Sequence, residues 1–450
     1  MDTSLATSSS RNIRTGPDGL LVQAKRLQTY VSSESSSPYS VSTTSAAGRA
    51  KRAVFATLSR LLTCLVNERI VSAYYVDYGS SVASSYLVFV PSNTTVFDMY
   101  AGCFLISQVC HKPVLAKSPV DDVDGVFQVF LLDPEDLGIC QWIQQAGSTA
   151  CPVLITNPSQ IMDTVGQWNS YEADKIKAIC AELDSSIANQ SCAYKNRGPD
   201  PDILASTATE WEQSIIEGHA THPMYRARYA IPPLSTISPE TDLFHPRLGF
   251  VAVPRDKLRI EGNFENILLP LYSSADFDLH LHTGNTSDEL GHDGGSPYIL
   301  DYVNRSEQVV MPVHPLHIPA VLELFSFAQL LPFSVSADAQ ASLRTVCPEA
   351  LAPLGYNLKL PLGIKVSSAL RTISPWSTFV GPRITEVIPD ILQKAPVPDA
   401  LLIAGEPASA VSNDTDFDIA KYLSCVIRND PEYICRSRGE RVILAAALTG

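Results

Sequence analysis

The stretch EGHATHPMYRAR, Glu217 to Arg228, brings two histidines, a carboxylate and two arginines into twelve residues. His219 and His222 stand three apart, a spacing that suits one face of a helix, and Glu217 or Glu212 could complete a metal-ligand set. Arg226 and Arg228 argue against a cation, because they add fixed positive charge beside it. The same arginines suit a polyphosphate, since a guanidinium offers a planar fork of donors to phosphate oxygens. Each such contact contributes roughly 1.5–3 kcal/mol. A plainer reading is a helix end at which His and Arg cap the last carbonyls before Pro223. From this stretch alone the phosphate and capping readings are equal alternatives.

Two further stretches hold candidate chemistry. VMPVHPLHIP places His314 just after a strand, where it could position a substrate or serve the core. KVSSALRTISPWSTFVGPRITEVI places Ser367, Ser368, Arg371 and Thr372 at the end of a strand, with Arg383 in the loop after it. Hydroxyls and guanidinium groups at such places are what a nucleotide phosphate needs. A competing cluster, Asp276, Asp278, His280, His282, His292 and Asp293, has the composition of a metal-dependent hydrolase site. Its plainer reading is a polar, Gly-rich insertion between two strands.

The chain has 450 residues, too many for one ordinary core, with 45% apolar and 18% charged residues and a net charge of −14. That acidity disfavours general binding to nucleic acid or to an anionic membrane. The ten cysteines form no CxxC pair, which excludes a zinc ribbon or a thioredoxin-like site and fits a reducing, cytoplasmic setting. No apolar run reaches the length of a membrane span, and the N-terminus lacks a secretory h-region. No GxGxxG or GxxxxGK[ST] occurs, so neither a Rossmann turn nor a P-loop binds a nucleotide here.

Residues 1–45 are rich in Ser and Thr and read as a disordered tail. Residues 46–200 read as a mixed, helix-rich domain. It opens with an amphipathic helix whose face is Val54, Leu58, Leu61, Leu62 and Leu65, with Lys51, Arg52 and Arg60 elsewhere. Strands come next, and PEDLGICQWIQQAG reads as a capped helix, as do residues 158–196 and 202–217. From Arg247 a strand-rich domain begins, with HIPAVLELFSFAQLL as a helix and strands meeting at Pro361-Leu362-Gly363.

Taken in order, the three phosphate-suited stretches resemble the NRPS-independent siderophore synthetases of the IucA/IucC, or aerobactin synthetase, family. EGHATHPMYRAR is similar to that family's G-H-x-x-H-P-x-x-K-x-R, MPVHPLH to its V-H-P-W-Q, and LKLPLGIKVSSALRTISP with GPRIT to its L-K-L, S-x-R-T and G-P block. The resemblance covers roughly residues 50–450. It implies an α+β, multidomain thumb, fingers and palm architecture, with a thumb at 46–200, ATP-binding fingers at 201–395 and a palm from 396. It implies activation of a carboxylate of citrate or a related polycarboxylic acid by ATP and Mg²⁺, then transfer to an amine or hydroxyl. Carried over, His219, His222, Arg226, Arg228, Ser368, Arg371, Thr372 and Arg383 would meet the nucleotide, with Arg371, His222 and His314 closest to the chemistry. The partners implied are small molecules, with neither nucleic acid nor membrane, and a homodimer is compatible. The pattern departs at Arg226, which replaces Lys, at Leu316-His317, which replaces Trp-Gln, and at Ala369, where the family has Ser. No H-G-Q-N motif occurs downstream, so the palm is expected to be incomplete and the chain truncated. A truncated, inactive synthetase fragment is therefore the remaining alternative.

Overall fold

The computed structural model describes residues 41–77, 85–92, 103–120, 125–146, 149–219, 221–281, 299, 307–396 and 401–444. The chain forms two compact units, Met1–Asn196 with Glu217–Ala227, and Arg197–Ile216 with Arg228–Gly450. It therefore passes from one unit to the other at 196/197, 216/217 and 227/228.

The first unit begins with α1, Ala46–Asn67. Ser45, assigned from sequence to the tail, is the N-cap of this helix, and its hydroxyl accepts from the Gly48 amide at 3.0 Å. Residues 1–40 of that expected tail lie outside the described residues. Leu58, Leu61, Leu62 and Leu65 enter the core as the periodicity predicts. Val54 is only half-buried and Phe55 is buried instead. Burying each such side chain contributes about 1.5–3 kcal/mol.

As expected of a mixed domain, strands follow α1, and they join in one seven-stranded sheet. Strands β1 (Val71–Val76), β2 (Tyr86–Pro91), β3 (Cys103–Val109), β4 (Val114–Leu115), β5 (Val126–Leu131), β6 (Leu137–Ala146) and β7 (Thr149–Leu154) pair in the order β4-β5-β1-β2-β3-β6-β7. Every neighbouring pair is antiparallel. The PEDLGICQWIQQAG stretch is the point of failure. Pro134–Asp136 makes one 3-10 turn, closed by a capping box between Asp133 and Asp136, and the chain then extends as β6. The helix-start signal is local, whereas pairing on both sides with β3 and β7 decides the rest. Helices α2 (Ser159–Asn169) and α3 (Ala173–Lys195) match expectation.

Residues 217–227 belong to this unit because Glu217 is tied to α1 and α3. Its carboxylate accepts from Arg52 Nε at 2.8 Å, from Arg60 at 3.3 Å and from the Tyr194 hydroxyl at 2.6 Å. Arg60 also donates to the carbonyls of Glu217 and His219, and Ser186 to that of Pro223. Burial pushes the Glu217 pKa up, but Arg52, Tyr194 and Arg60 outweigh it and hold the carboxyl below the usual range.

The second unit opens with α4, Ala208–Gln213, which is shorter than the helix expected over 202–217. Its strands are β8 (Arg228–Ala230), β9 (Arg247–Pro254), β10 (Leu258–Glu261), β11 (Asp276–Phe277), β12 (Gln308–Val313), β13 (Gln329–Ser336), β14 (Asp338–Ala339), β15 (Thr345–Cys347), β16 (Tyr356–Lys359), β17 (Ile364–Val366), β18 (Ala369–Leu370), β19 (Ala408–Ser412) and β20 (Ser424–Asn429). They form sheets of order β10-β19-β20-β16-β15-β14, β11-β13-β9-β12 and β18-β17-β8, all antiparallel. Helices α5 (Phe264–Ser273), α6 (Ile318–Leu324) and α7 (Pro375–Gln393) complete the frame. The helix expected across HIPAVLELFSFAQLL stops at Leu324, and Gln329 onward is β13.

The six- and four-stranded sheets share one core, built around Phe250, Val251, Leu268, Met311, Leu358 and Ile427. Alternation along the strands sends Asn357, Lys359, Val426 and Arg428 to the opposite face of the six-stranded sheet. Residues beyond 396, expected to open a separate palm, supply β19 and β20 between β10 and β16. The two units divide instead at the three crossings.

Replacing Glu217 by Gln leaves Arg52 and Arg60 short of a charge partner. We expect a loss of about 3 kcal/mol, the scale for breaking a buried pair. Because the folded pKa is depressed, this contribution is complete above the unfolded value of about 4.3 and is lost as pH falls through the folded pKa. Melting temperatures of wild type and Glu217→Gln should differ at pH 7 and converge only on the acid side of about pH 4. A separate expectation concerns Ser368, which adopts φ 65°. Ser368→Gly should raise stability by about 0.5–1 kcal/mol in the same melts, by relieving a left-handed backbone.

Candidate functional site

The described residues of EGHATHPMYRAR form bends and turns up to Ala227 rather than a helix, so His219 and His222 do not share a helical face. Gly218 has φ +67°, and a Cβ there would lie 1.8 Å from the Tyr225 ring, so only glycine fits. His219 Nδ1 accepts the Thr221 amide at 3.3 Å and His222 Nδ1 accepts that of Met224 at 3.1 Å. Both rings therefore carry their proton on Nε2 when neutral, as donors. The rings meet edge-on at 5.9 Å. Arg226 is buried beside the Tyr225 ring, and burial lowers its pKa. Glu217, the first candidate metal ligand, is committed to Arg52, Arg60 and Tyr194. Glu212, the second, sits in the other unit and accepts the Ala341 amide at 2.9 Å.

In the second unit β8 and β17 pair so that Arg228, itself buried, stands opposite Val366. β17 and β18 form a two-residue hairpin whose turn residues, Ser367 and Ser368, both have positive φ, 53° and 65°. This is the backbone of a type I′ turn, a site normally given to Asn or Gly. Ser368 is thus a turn residue, and the hairpin delivers Arg371. The Arg371 amide donates to Ile364 at 3.4 Å, and its carbonyl accepts from Leu362 at 2.7 Å. Its Nε is buried and has no hydrogen-bond partner among the described residues. Thr372 comes next, and its carbonyl accepts from Arg344 at 2.9 Å.

Arg383 is placed differently from expectation, whereas His314 follows a strand as expected. Arg383 lies inside α7, not in a loop. Its guanidinium pairs with Glu261 at 3.2 Å and covers the Phe379 ring at 3.6 Å, with Arg259 at 3.9 Å from the same ring. These contacts tie Arg383 to β10 while its side chain stays about half exposed. His314 is buried after β12, with Nδ1 accepting the Leu316 amide at 3.2 Å and Nε2 unpartnered. Burial, then neighbouring His317, lowers its pKa to about 3, so it is neutral at pH 7. His317 donates from Nε2 to the Tyr422 carbonyl at 2.6 Å and stacks on that ring. Gly363 lets this His-Pro turn approach, for a Cβ there would lie 2.2 Å from the Leu316 carbonyl oxygen.

Sequence reasoning missed Arg344, Arg428, Lys359 and Glu406. Lys359 and Arg428 each approach Glu406 Oε1 at 3.4 Å, and Arg428 donates to the Thr345 hydroxyl at 3.3 Å. The available signal was SLRTV at 342–346, a near copy of ALRTI at 369–373. Of the competing hydrolase cluster, His282, His292 and Asp293 lie outside the described residues. Asp278 is used by the fold, accepting from Ser334 at 2.7 Å near Arg247. Among the described residues no three His, Cys, Asp or Glu side chains are grouped to hold a metal, and no helix is long and apolar enough to cross a membrane.

The NRPS-independent siderophore synthetase rfs of Rhizopus delemar is 30% identical over 441 residues, covering 88% of this chain and 66% of that protein. The petrobactin biosynthesis protein AsbB of Bacillus anthracis has the same fold, with a TM-score of 0.59 at 16% identity over 85% of this chain and 59% of that one. ATP-bound aerobactin synthetase IucA from a hypervirulent Klebsiella pneumoniae gives 0.57 at 15% identity, over 85% and 61%. The α+β, multidomain fold is therefore shared, and this chain spans less than two thirds of the length of each of the three. The IucA / IucC family model matches residues 207–450, more than half of the chain, and the chain belongs to that family.

Proposed function

We propose that this protein is an ATP-dependent siderophore synthetase, activating one carboxylate of citrate or a similar polycarboxylic acid and joining it to an amine or hydroxyl. Family membership supports the ligase class. One observation carries the site, namely Arg371, whose backbone is fixed on both sides while its Nε is buried without an acceptor. A buried guanidinium donor left unpaired is costly, and an anionic oxygen removes that cost.

The chemistry asks for positioning and charge neutralisation rather than a covalent nucleophile. A carboxylate oxygen of the acid attacks the α-phosphorus, the bond to the β-phosphate oxygen breaks, and pyrophosphate leaves. The amine or hydroxyl then attacks the acyl carbon, AMP departs with the bonding pair, and the nucleophile's proton is released. Arg228, Arg371 and Thr372 are the phosphate-facing set in the second unit. His219, His222 and Arg226 are kept as phosphate-binding candidates of the first unit. Ser368 contributes through its turn, and Arg383 is dropped to a supporting role. His314, neutral at pH 7, would orient a partner through Nε2 rather than titrate. Magnesium would enter on the nucleotide's phosphates and neutralise part of their charge. Cytoplasmic location and homodimerisation belong to the same reading.

ATP–pyrophosphate exchange on the purified chain, with citrate and Mg²⁺, tests this. Exchange should depend on citrate, and Arg371→Ala should reduce it about a hundredfold or more with the fold intact by circular dichroism. Exchange that ignores citrate, or ATP affinity unchanged in Arg371→Ala, would sink the assignment.

A further inference from the structure

The sequence Leu-Arg-Thr followed by a β-branched residue occurs at Leu343–Val346 and again at Leu370–Ile373. The fold of the second unit brings the two copies together. One short segment holds both, because the Leu360 amide donates to the Arg344 carbonyl at 2.8 Å and the Leu362 amide to the Arg371 carbonyl at 2.7 Å. The guanidinium of the first copy reaches the second, with Arg344 donating to the Thr372 carbonyl. Arg428 then bonds the threonine of the first copy, at the Thr345 hydroxyl.

This arrangement concentrates positive charge in an acidic protein. Arg344, Arg371, Arg428 and Lys359 are grouped with Glu406, which Lys359 and Arg428 share. Glu212 also lies near Arg428 and accepts the Ala341 amide at 2.9 Å. Each of the three arginines keeps a buried Nε without a hydrogen bond; that of Arg428 faces Glu406 but lacks the alignment for one. Burial, then Arg371 and Arg428, lowers the Arg344 pKa. Like charges converging around unused donors describe a cradle for an anion rather than a structural ion-pair network, which would pair its donors.

We propose that the two Leu-Arg-Thr turns form a paired cradle, completed by Arg428, and that Arg344 binds a multiply charged oxyanion within it. The oxyanion is a polyphosphate or a polycarboxylate. The choice between those two sources rests on the synthetase reading above, whereas the cradle itself does not.

The test uses inorganic pyrophosphate and citrate as probes on the full chain, in wild type, Arg344→Gln, Arg344→Lys and Arg371→Ala. The anion-induced rise in melting temperature is measured against each variant's own anion-free value, so a loss of folding stability does not count. Gln retains a donor for the Thr372 carbonyl but no charge, so a merely structural Arg344 would tolerate it. We expect wild type to bind at least one probe, Arg344→Gln to weaken it tenfold or more, and Arg344→Lys to recover part of that loss. A loss confined to pyrophosphate assigns the cradle to phosphates, and one confined to citrate assigns it to carboxylates. Wild type binding neither probe, or Arg344→Gln binding both as wild type does, overturns the proposal. Were Arg371→Ala to abolish citrate-dependent exchange while Arg344→Gln bound anions normally, the cradle alone would fall. Loss of anion binding in Arg344→Gln with no exchange in wild type would remove the synthetase reading and keep the cradle.

Discussion

A guanidinium taken out of water must find oxygen on every side, and both units of this chain are organised around that requirement. In the first unit the requirement is met internally. Glu217 accepts from Arg52, Arg60 and Tyr194, and Arg60 spends its remaining donors on backbone carbonyls. In the second unit it is not met, since Arg428 shares the Glu406 carboxylate with Lys359 while Arg344 and Arg371, among the described residues, keep a buried Nε without a hydrogen bond. The first arrangement is closed and fixes a loop. The second is open and invites a ligand. The distinction lies in the balance of acceptors to donors, not in how many arginines are present.

Unusual backbone supports the open site. Ser367 and Ser368 hold left-handed conformations that serine adopts at a cost, and the hairpin they close points Arg371. Gly363 permits the His-Pro turn to lie against the segment that carries both arginine turns. Buried, neutral His314 and His317 add shape there without adding charge.

Much of this was legible in the residues. The face of α1, helices α2 and α3, the strands around Pro361-Leu362-Gly363 and the family motifs could all be read, because each rests on a local period or a short pattern. PEDLGICQWIQQAG could not be read, since its capping signal is genuine but lasts one turn, and pairing within the sheet makes the remainder a strand. Arg383 was misread because G-P-R in a sequence suggests a loop, whereas α7 tolerates Pro382 in its interior. Arg344 and Arg428 were invisible because their meaning is purely spatial, the first 27 residues from its twin (371 − 344) and the second on another strand. Glu217 was weighed as a metal ligand and set aside, but its structural role could not be read, because its partners lie far away in the chain.

That last separation has a consequence for synthesis. Arg52 and Glu217 are 165 positions apart, and residues 197–216 between them belong to the other unit. At about 5–20 residues per second a ribosome takes roughly ten to thirty seconds to deliver the carboxylate after the arginine. Through that interval α1 and its sheet are exposed with Arg52 and Arg60 lacking their counter-charge. The first unit is complete only once Ala227 has been made, and a cut anywhere between residues 196 and 217 severs its last segment, with Glu217, from the helices that hold it.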